Sequence, residues 1–541
     1  MIIGLVGESR LDSVSVLVVG AGPTGLLAAA ELCRRGVDFL LIDVHERPME
    51  WDRATVVHPR SLEIFDSLGI LEPLLAAGVK QRGARLHSDG EVLGEFTLDQ
   101  CGSRYPFNIG ISEEVTERVL TDYLAAHGGT VVRGTKLVAW QEREDGIVAT
   151  LDHGGVTKDI RAGWVVGCDG HHSTVRRLAG IAQDGHDITE PWAVFDAAIR
   201  DWPHAFEANY GYLDEVPLIL TALPHRRWRV YLRPRSHESD LIEDALSTLR
   251  RYLPLARFEG VSNPARFHCH TKVARRFRDG RVLLAGDAAH TCSPAQGHGM
   301  NSGLQDAYNL AWKLALVCKG HCSPDLLESY HDERHPVAEQ VTMSGDAAET
   351  VQLMRDEAER HERDAAIRGL LADPAARHHE AVAEAELDID YAASPIVMGD
   401  RGDTLWPGQR LPDWIEVMFP TGETGLLHGH TSRCGHTAFL VAGPSAHGHA
   451  FSRTLRDLGT LSDGALVEAV IGIASNSVMP GASAVIAPGT AEELGLGDLA
   501  LLVVRPDGHI GLRADRDHAE TLAAYVERLR SGRTDSRLQI R

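Results

Sequence analysis

The chain has 541 residues, 43% of them hydrophobic, which is too much for one ordinary core and implies two to four domains. With 76 acidic against 54 basic residues the formal charge is −22, which repels nucleic acid phosphates and anionic lipid and excludes both as main partners. No run of 18 apolar residues occurs, and the apolar start at residues 1–7 lacks a basic leader, so neither a membrane span nor a secretory signal is expected. The 8 cysteines are scattered, and Cys318 with Cys322 lacks a second ligand pair. A protein of the reducing cytoplasm, with neither a disulfide framework nor a metal, is the expectation.

In chain order, residues 14–19 read as a buried strand, 26–35 as a helix stopped by Gly36, and 37–42 as the next strand. This is the βαβ pattern of a parallel sheet covered on both faces. Helices are expected at 59–68 and 114–127, and strands at 130–142, 147–151 and 157–166. From about 192 to 271 helical periodicity weakens and short aromatic-rich strands follow one another at 205–212, 218–223 and 227–233. α/β character returns at 281, with a long helix over 304–317 and surface helices between 355 and 388. A turn-rich boundary at 405–413 precedes strands at 437–441, 466–473, 484–486, 499–504 and 510–512, and a last helix at 519–529.

The fold class is therefore α/β, with four parts. Residues 14–191 form a Rossmann-like cofactor domain, with a short excursion near 80–102 into the next part. Residues 192–275 form an inserted, mostly antiparallel substrate-binding sheet. Residues 276–400 complete the first domain and cover it, and 401–541 form a separate α/β domain.

Two glycine segments carry the chemistry. In Gly20-Ala21-Gly22-Pro23-Thr24-Gly25, Gly20 permits the tight turn, Gly22 lets the backbone approach a pyrophosphate, and Gly25 lets helix and strand pack closely. The helix that follows presents free N–H groups and a positive dipole end. Asp43 closes the second strand, where a carboxylate can accept both ribose hydroxyls of an adenosine. This motif alone leaves FAD and a nicotinamide dinucleotide equally open. The second segment runs from Gly286-Asp287 through Pro294 to Gly297-His298-Gly299-Met300-Asn301. Asp287 is placed to bond a ribityl hydroxyl or lie near the pyrophosphate. The helix that follows would face its N-terminus toward whatever lies over the turn, and a dipole aimed at a flavin pyrimidine edge would stabilise the negative charge that collects there on reduction. Two such sites at opposite ends of one domain suggest a flavin held at both ends.

These segments, together with Cys168-Asp169-Gly170-His171-His172-Ser173 and Gln305-Asp306-Ala307-Tyr308-Asn309-Leu310-Ala311-Trp312-Lys313, resemble the class A flavoprotein monooxygenases. That is the family of para-hydroxybenzoate hydroxylase, phenol hydroxylase and the aromatic polyketide hydroxylases. The resemblance covers 14–340. It implies that Gly20, Gly22, Pro23, Thr24, Gly25 and Asp43 hold the FAD adenosine half. It also implies that Arg53 lies by the flavin and pyrophosphate, that Arg118 is a further cofactor arginine, and that Asp169 supports FAD and a transiently docked NAD(P)H. Asp287 would contact the ribityl–pyrophosphate region, and Pro294, Gly297, Gly299, Met300 and Asn301 would line the isoalloxazine. Two departures stand out: Glu113 replaces a usual glutamine, and Gln296-Gly297-His298-Gly299 replaces Gly-Gly-Gln-Gly. His298 reads either as a group by the flavin or as a solvent-facing turn residue. The C-terminal part resembles the thioredoxin-like appendage of the phenol hydroxylase branch. It has no Cys-x-x-Cys and only Cys434, which excludes dithiol exchange and leaves packing or oligomer contacts.

The reaction so implied is hydroxylation of a phenolic or polycyclic, polyketide-type aromatic: NAD(P)H reduces FAD, and O2 is activated as the C4a-hydroperoxide. Arg53, His58, Tyr210, Tyr212 and Pro294 are the expected catalytic residues. His58, Asn209, Tyr210, Tyr212, Leu220, Thr221, Trp228 and Tyr231 are the expected substrate lining, with either tyrosine able to bond a phenol or to pack as an ordinary sheet aromatic. A flavin dehydrogenase or oxidase, Baeyer–Villiger insertion and epoxidation are the alternatives. A homodimer is the one protein partner expected.

Overall fold

The computed structural model describes residues 13–49, 54–399, 401–402, 404–475 and 479–532. At its centre the strand Ser13–Val19 pairs in parallel with Val156–Gly167 on one side and Phe39–Ile42 on the other. Val282–Leu284 extends the parallel sheet at one edge and Val131–Val132 at the other. Strands Thr135–Arg143, Gly146–His153 and Val156–Gly167 form an antiparallel meander running off the same sheet. The stretch expected as one strand over 130–142 is thus two, broken where Gly134 turns with φ of 64°. Val16, Leu17 and Val18 are fully buried, as a central strand covered on both faces requires.

The helix Pro23–Arg34 packs against the longer helix His298–Cys318, and the approach is close because Gly303 lies against the Thr24 side chain. Both helices start immediately after a glycine turn, so their N-termini lie in the same cleft.

A second, seven-stranded sheet stands across this cleft. Its order is Phe258–Phe267, Trp192–Ile199, Arg227–Leu232, Leu218–Leu223, Asn209–Tyr212, Gly83–Ser88 and Glu91–Thr97. All neighbours are antiparallel except Asn209–Tyr212 beside Gly83–Ser88. One face carries Phe195, Tyr210, Tyr212, Leu220 and Trp228 into a core with Leu246 and Leu249 of the helix Leu241–Tyr252. That helix, capped by the Asp240 carboxylate on the Ile242 and Glu243 amides, has no counterpart among the expected elements. The opposite face looks into the cleft.

Two further helices differ from expectation. Glu328–Leu353 continues straight through Pro336, and Gly448–Gly459 bridges two strands of the C-terminal part. There His436–Ala442, Gly448–Gly459 and Val467–Ala474 make a parallel βαβ unit. Leu499–Val504 and Ile510–Ala514 add an antiparallel hairpin, followed by the helix His518–Ser531. This βαβ–ββα order is the thioredoxin-like arrangement, here with its lone cysteine, Cys434, exposed.

Candidate active site

The glycine turn is built by exclusion. Gly20 sits at φ of 102°, and a Cβ on it would run into the Cys168 carbonyl. A Cβ on Gly25 would overlap the Gly20 oxygen, so strand and helix meet at backbone contact. Gly22 differs: a Cβ there would meet only Glu117 Oε1 at 3.9 Å, leaving the backbone open to the cleft. The helix it starts has no side-chain cap, so its first N–H groups are left for a ligand. Asp43 follows the second strand, and its Oδ2 accepts the Ala21 N–H at 2.7 Å while Oδ1 accepts the His45 amide at 2.8 Å. The carboxylate is thereby fixed beside the turn.

Beyond Gly22, Pro23 and Thr24 opens a cavity of about 480 Å³. Asp287 projects into it from the turn Gly286–Ala288, and Pro294, Gly297, Gly299 and Met300 form its far wall. The second sheet supplies the roof with Tyr231 and Phe267, and the Tyr231 hydroxyl lies 2.9 Å from Thr55 Oγ1. Gly297, at φ of 73°, starts the long helix, again with no side-chain cap. A glycine turn and an uncapped helix on each side of one cavity match a dinucleotide whose central pyrophosphate would lie by the first turn and whose electron-accepting ring would lie by the second.

A second cavity, of about 350 Å³, adjoins the first at Val56 and Gly297. Asn209, Ile219 and Thr221 border it from the sheet, Leu86 and Phe96 from the neighbouring hairpin, and Val337, Val341 and Ser344 from the helix Glu328–Leu353. Asn209 is held by its amide donating to Gln81 Oε1 at 3.1 Å.

Several expected site residues are placed elsewhere. Tyr210 and Tyr212 do share a face, but it is the face under the helix Leu241–Tyr252. Register decides this: Tyr210 lies opposite Leu220 and Leu220 opposite Val230, while the cleft face carries Gly211, Ile219 and Tyr231. The Tyr210 hydroxyl donates to the Ala205 carbonyl at 2.6 Å, and the Tyr212 ring stacks on His87 at 4.6 Å. Leu220 and Trp228 belong to the same core and line neither cavity, while Tyr210 and Tyr212 belong to that core and also border the second cavity. His58 is fully buried behind the loop, its ring nitrogens 3.2 Å from Asn108 Oδ1 and 3.3 Å from the Gly297 carbonyl.

Asn301 is a bracket and not a lining residue: its Oδ1 accepts the His58 amide at 3.0 Å, and its Nδ2 donates to the Val56 and Gly297 carbonyls. Asp169 is turned inward, accepting from Ser173 Oγ and from the Thr174 and Val175 amides, so it shapes the Gly170–His171 turn that borders the cavity. Arg118 lies exposed beside Glu114 at 3.9 Å on the helix Glu113–Ala126, and Glu113, Glu114 and Glu117 border the cavity from that helix instead. Arg53 lies outside the described residues.

His298 is not a solvent-facing turn residue. It is buried, and its Nδ1 lies 2.9 Å from Glu386 Oε1, while Glu386 Oε2 accepts from Gln305 Nε2 at 2.6 Å. Burial alone would lower the basicity of this imidazole. The hydrogen bond and charge of Glu386, helped by Glu384 and Asp388, reverse that and hold it above its ordinary value. Ligand atoms of His58, His298 and Glu386 all lie within 4.8 Å of one another. However, both Glu386 oxygens already accept N–H groups, and the His58 ring nitrogens lie against Asn108 Oδ1 and the Gly297 carbonyl. Hydrogen bonding accounts for this cluster without a metal. No local signal could have paired residues 88 apart in sequence.

Fold and cleft together define a flavoprotein of the two-sheet type, with a dinucleotide cavity and an adjoining ligand cavity. Residues 13–344 match the family model described as FAD binding domain. The chain is 30% identical over 558 residues to 6-methylpretetramide 4-monooxygenase of Streptomyces rimosus, an alignment spanning 96% of this chain and 94% of the relative. It is 36% identical over 340 residues to pentachlorophenol 4-monooxygenase of Sphingobium chlorophenolicum, spanning 60% of this chain and 63% of that one. The crystal structure of aklavinone-11 hydroxylase with FAD and aklavinone superposes with a TM-score of 0.76 at 25% identity, covering 96% of this chain and 99% of that one. The chain belongs to this family of FAD-dependent monooxygenases. Gly22 and the uncapped helix behind it could hold the FAD pyrophosphate, Asp43 the adenosine ribose, and Asp287 with Gly297, Gly299 and Met300 the ribityl and ring portion. Among the described residues no helix is long and apolar enough to cross a membrane.

Proposed function

We propose that this chain hydroxylates an uncharged phenolic or polycyclic, polyketide-type aromatic, with NAD(P)H and O2 as co-substrates. The observation that carries this reading is the junction of the two cavities at Val56 and Gly297, which sets a bound ring beside the flavin end of the cofactor cleft. Bound FAD, reduced by NAD(P)H, supplies the activation of oxygen; the rest is the work of the protein. Ile219, Phe96, Val337 and Val341 press an aromatic ring into place and keep water out. The uncapped helix N-terminus at Gly297 favours negative charge at the adjoining cofactor edge. Among the described residues no lysine or arginine lines the ligand cavity, whereas Glu380, Glu384 and Glu386 do, so a carboxylate-bearing ring meets several acidic side chains and no permanent cation there. The NAD(P)H requirement suits the cytoplasm, the compartment we propose, and a homodimer is the assembly to look for by light scattering.

The test is NAD(P)H oxidation by the FAD-loaded protein across neutral phenols, carboxylated phenols and polycyclic phenols under 18O2. One labelled oxygen in an otherwise intact ring, with neutral phenols preferred, is the expected result. A two-electron product without label would transfer the chain to the dehydrogenases or oxidases. Label in a lactone or epoxide would keep oxygen insertion and change the reaction.

A further inference from the structure

We infer that His298, oriented by Glu386, is the proton acceptor for a substrate hydroxyl in the second cavity. The inference rests on the reading of that cavity as the aromatic-binding site. It goes beyond that reading by assigning the proton.

The geometry is that of an oriented base. His298 borders the ligand cavity at the first position of the helix His298–Cys318, immediately after Gly297, where the two cavities meet. Its Nδ1 is committed to Glu386 Oε1, which fixes the ring and keeps that nitrogen as the N–H donor. Nε2 has no partner among the described residues and is the nitrogen left for a ligand. Glu386 is itself immobilised: it is buried, and its second oxygen is held by Gln305 at 2.6 Å from the same helix. The His58 ring backs His298 at 5.1 Å, so the imidazole has one side left for a ligand. Titratable groups around it are Glu386 and Asp388 from the segment after the helix Pro374–Glu384, Glu384 and Glu380 from that helix, and His58 ahead of the helix Pro59–Ser67. All the acidic members favour the imidazolium, and the raised basicity of His298 agrees.

In the step itself the substrate O–H bond breaks. The proton goes to Nε2, and the electron pair stays on oxygen, where it enriches the ring carbon ortho or para to it. The imidazolium so formed is neutralised by Glu386. No oxidant enters this step, and the proton returns to solvent or product after the ring has reacted.

The experiment uses the oxidised, FAD-loaded protein and 4-nitrophenol, whose phenol and phenolate forms differ in colour, bound at a series of pH values. Wild type is expected to ionise the bound probe at least tenfold more readily than water does. H298Q restores the glutamine that the resembling family carries near this turn, and should keep its flavin while losing that gain. E386Q should lose part of it and move the corresponding ionisation in the kcat/KM profile to lower pH. Equal ionisation of the probe by wild type and H298Q overturns the assignment, as does wild type binding it without any gain. Unaltered pH profiles in both variants overturn it as well. A His298-dependent probe ionisation without label incorporation from 18O2 would sink the hydroxylase reading and leave the proton acceptor standing.

Discussion

Replacing Glu333 by glutamine should uncouple the thioredoxin-like part from the flavin domain at a cost of about 3 kcal/mol. Glu333 lies fully buried on the helix Glu328–Leu353, where Arg505 donates to both of its oxygens at 2.7 and 2.8 Å. Lys313 at 2.7 Å, Asn309 at 2.7 Å and Ser394 at 2.6 Å complete the shell. Burial opposes its charge, but Arg505 and Lys313 override this and hold the carboxyl at about 2 instead of 4.5. A carboxyl so held is worth roughly 3 kcal/mol at neutral pH, in line with the loss of one partner from a buried pair. Glutamine would keep the shape but turn an NH2 group toward donors. The sign of the pH effect follows from the depressed value. The stabilisation is present above pH 4.5 and is lost as pH falls toward 2, so the gap between wild type and E333Q must narrow between pH 4.5 and 2. Chemical denaturation of both proteins, followed by flavin release and by tryptophan emission, measures that gap. A difference below 1 kcal/mol at pH 7, or one that does not shrink in acid, would refute the reasoning. The same junction includes Trp312 donating to Asp507 at 3.0 Å and Arg60 to the Asp507 carbonyl at 2.6 Å, which makes the appendage a brace on the helices behind the cofactor.

Two further outcomes follow from the site. G25A places a methyl group against the Gly20 carbonyl, an overpacking that costs about 1–3 kcal/mol and weakens FAD binding roughly 10- to 100-fold. Protein that leaves gel filtration with its full flavin absorbance would contradict it. Y210F removes a hydroxyl bonded to the Ala205 carbonyl on the far face of the sheet. It should cost about 1 kcal/mol of stability and leave kcat/KM within twofold. A tenfold fall in kcat/KM would return Tyr210 to the substrate side.

What the sequence discloses here depends on how local the determinant is. The Gly20–Gly25 turn and Asp43 are readable because strand, turn, helix and carboxylate fall within one short segment, even though the Cys168 carbonyl that Gly20 must clear comes from a distant strand end. The tyrosine pair shows the limit of such reading. Alternation says that Tyr210 and Tyr212 share a face, but not which face. That choice belongs to the helix Leu241–Tyr252, whose Leu246 and Leu249 cover them. The apolar spacing of Ala245, Leu246 and Leu249 was a usable sign of this helix, obscured by the run of strand-like segments before it. Pro336 hid the helix Glu328–Leu353 more completely, since a proline inside a helix ordinarily argues for its end.

The ligand cavity is composite for the same physical reason. Its walls come from the hairpin after Gly83, the inserted sheet, the loop at Gly297 and the helices beyond 328, so no single segment carries its signature. His298 and Glu386 illustrate the consequence. Each alone reads as an ordinary polar residue in a turn or on a surface helix. Only the fold buries them together, and burial is what converts a weak surface pair into an oriented base with a fixed partner. The departure of the turn from its usual glutamine was visible in the sequence. What gives it chemical meaning is a carboxylate on a chain segment that the sequence alone leaves at the surface.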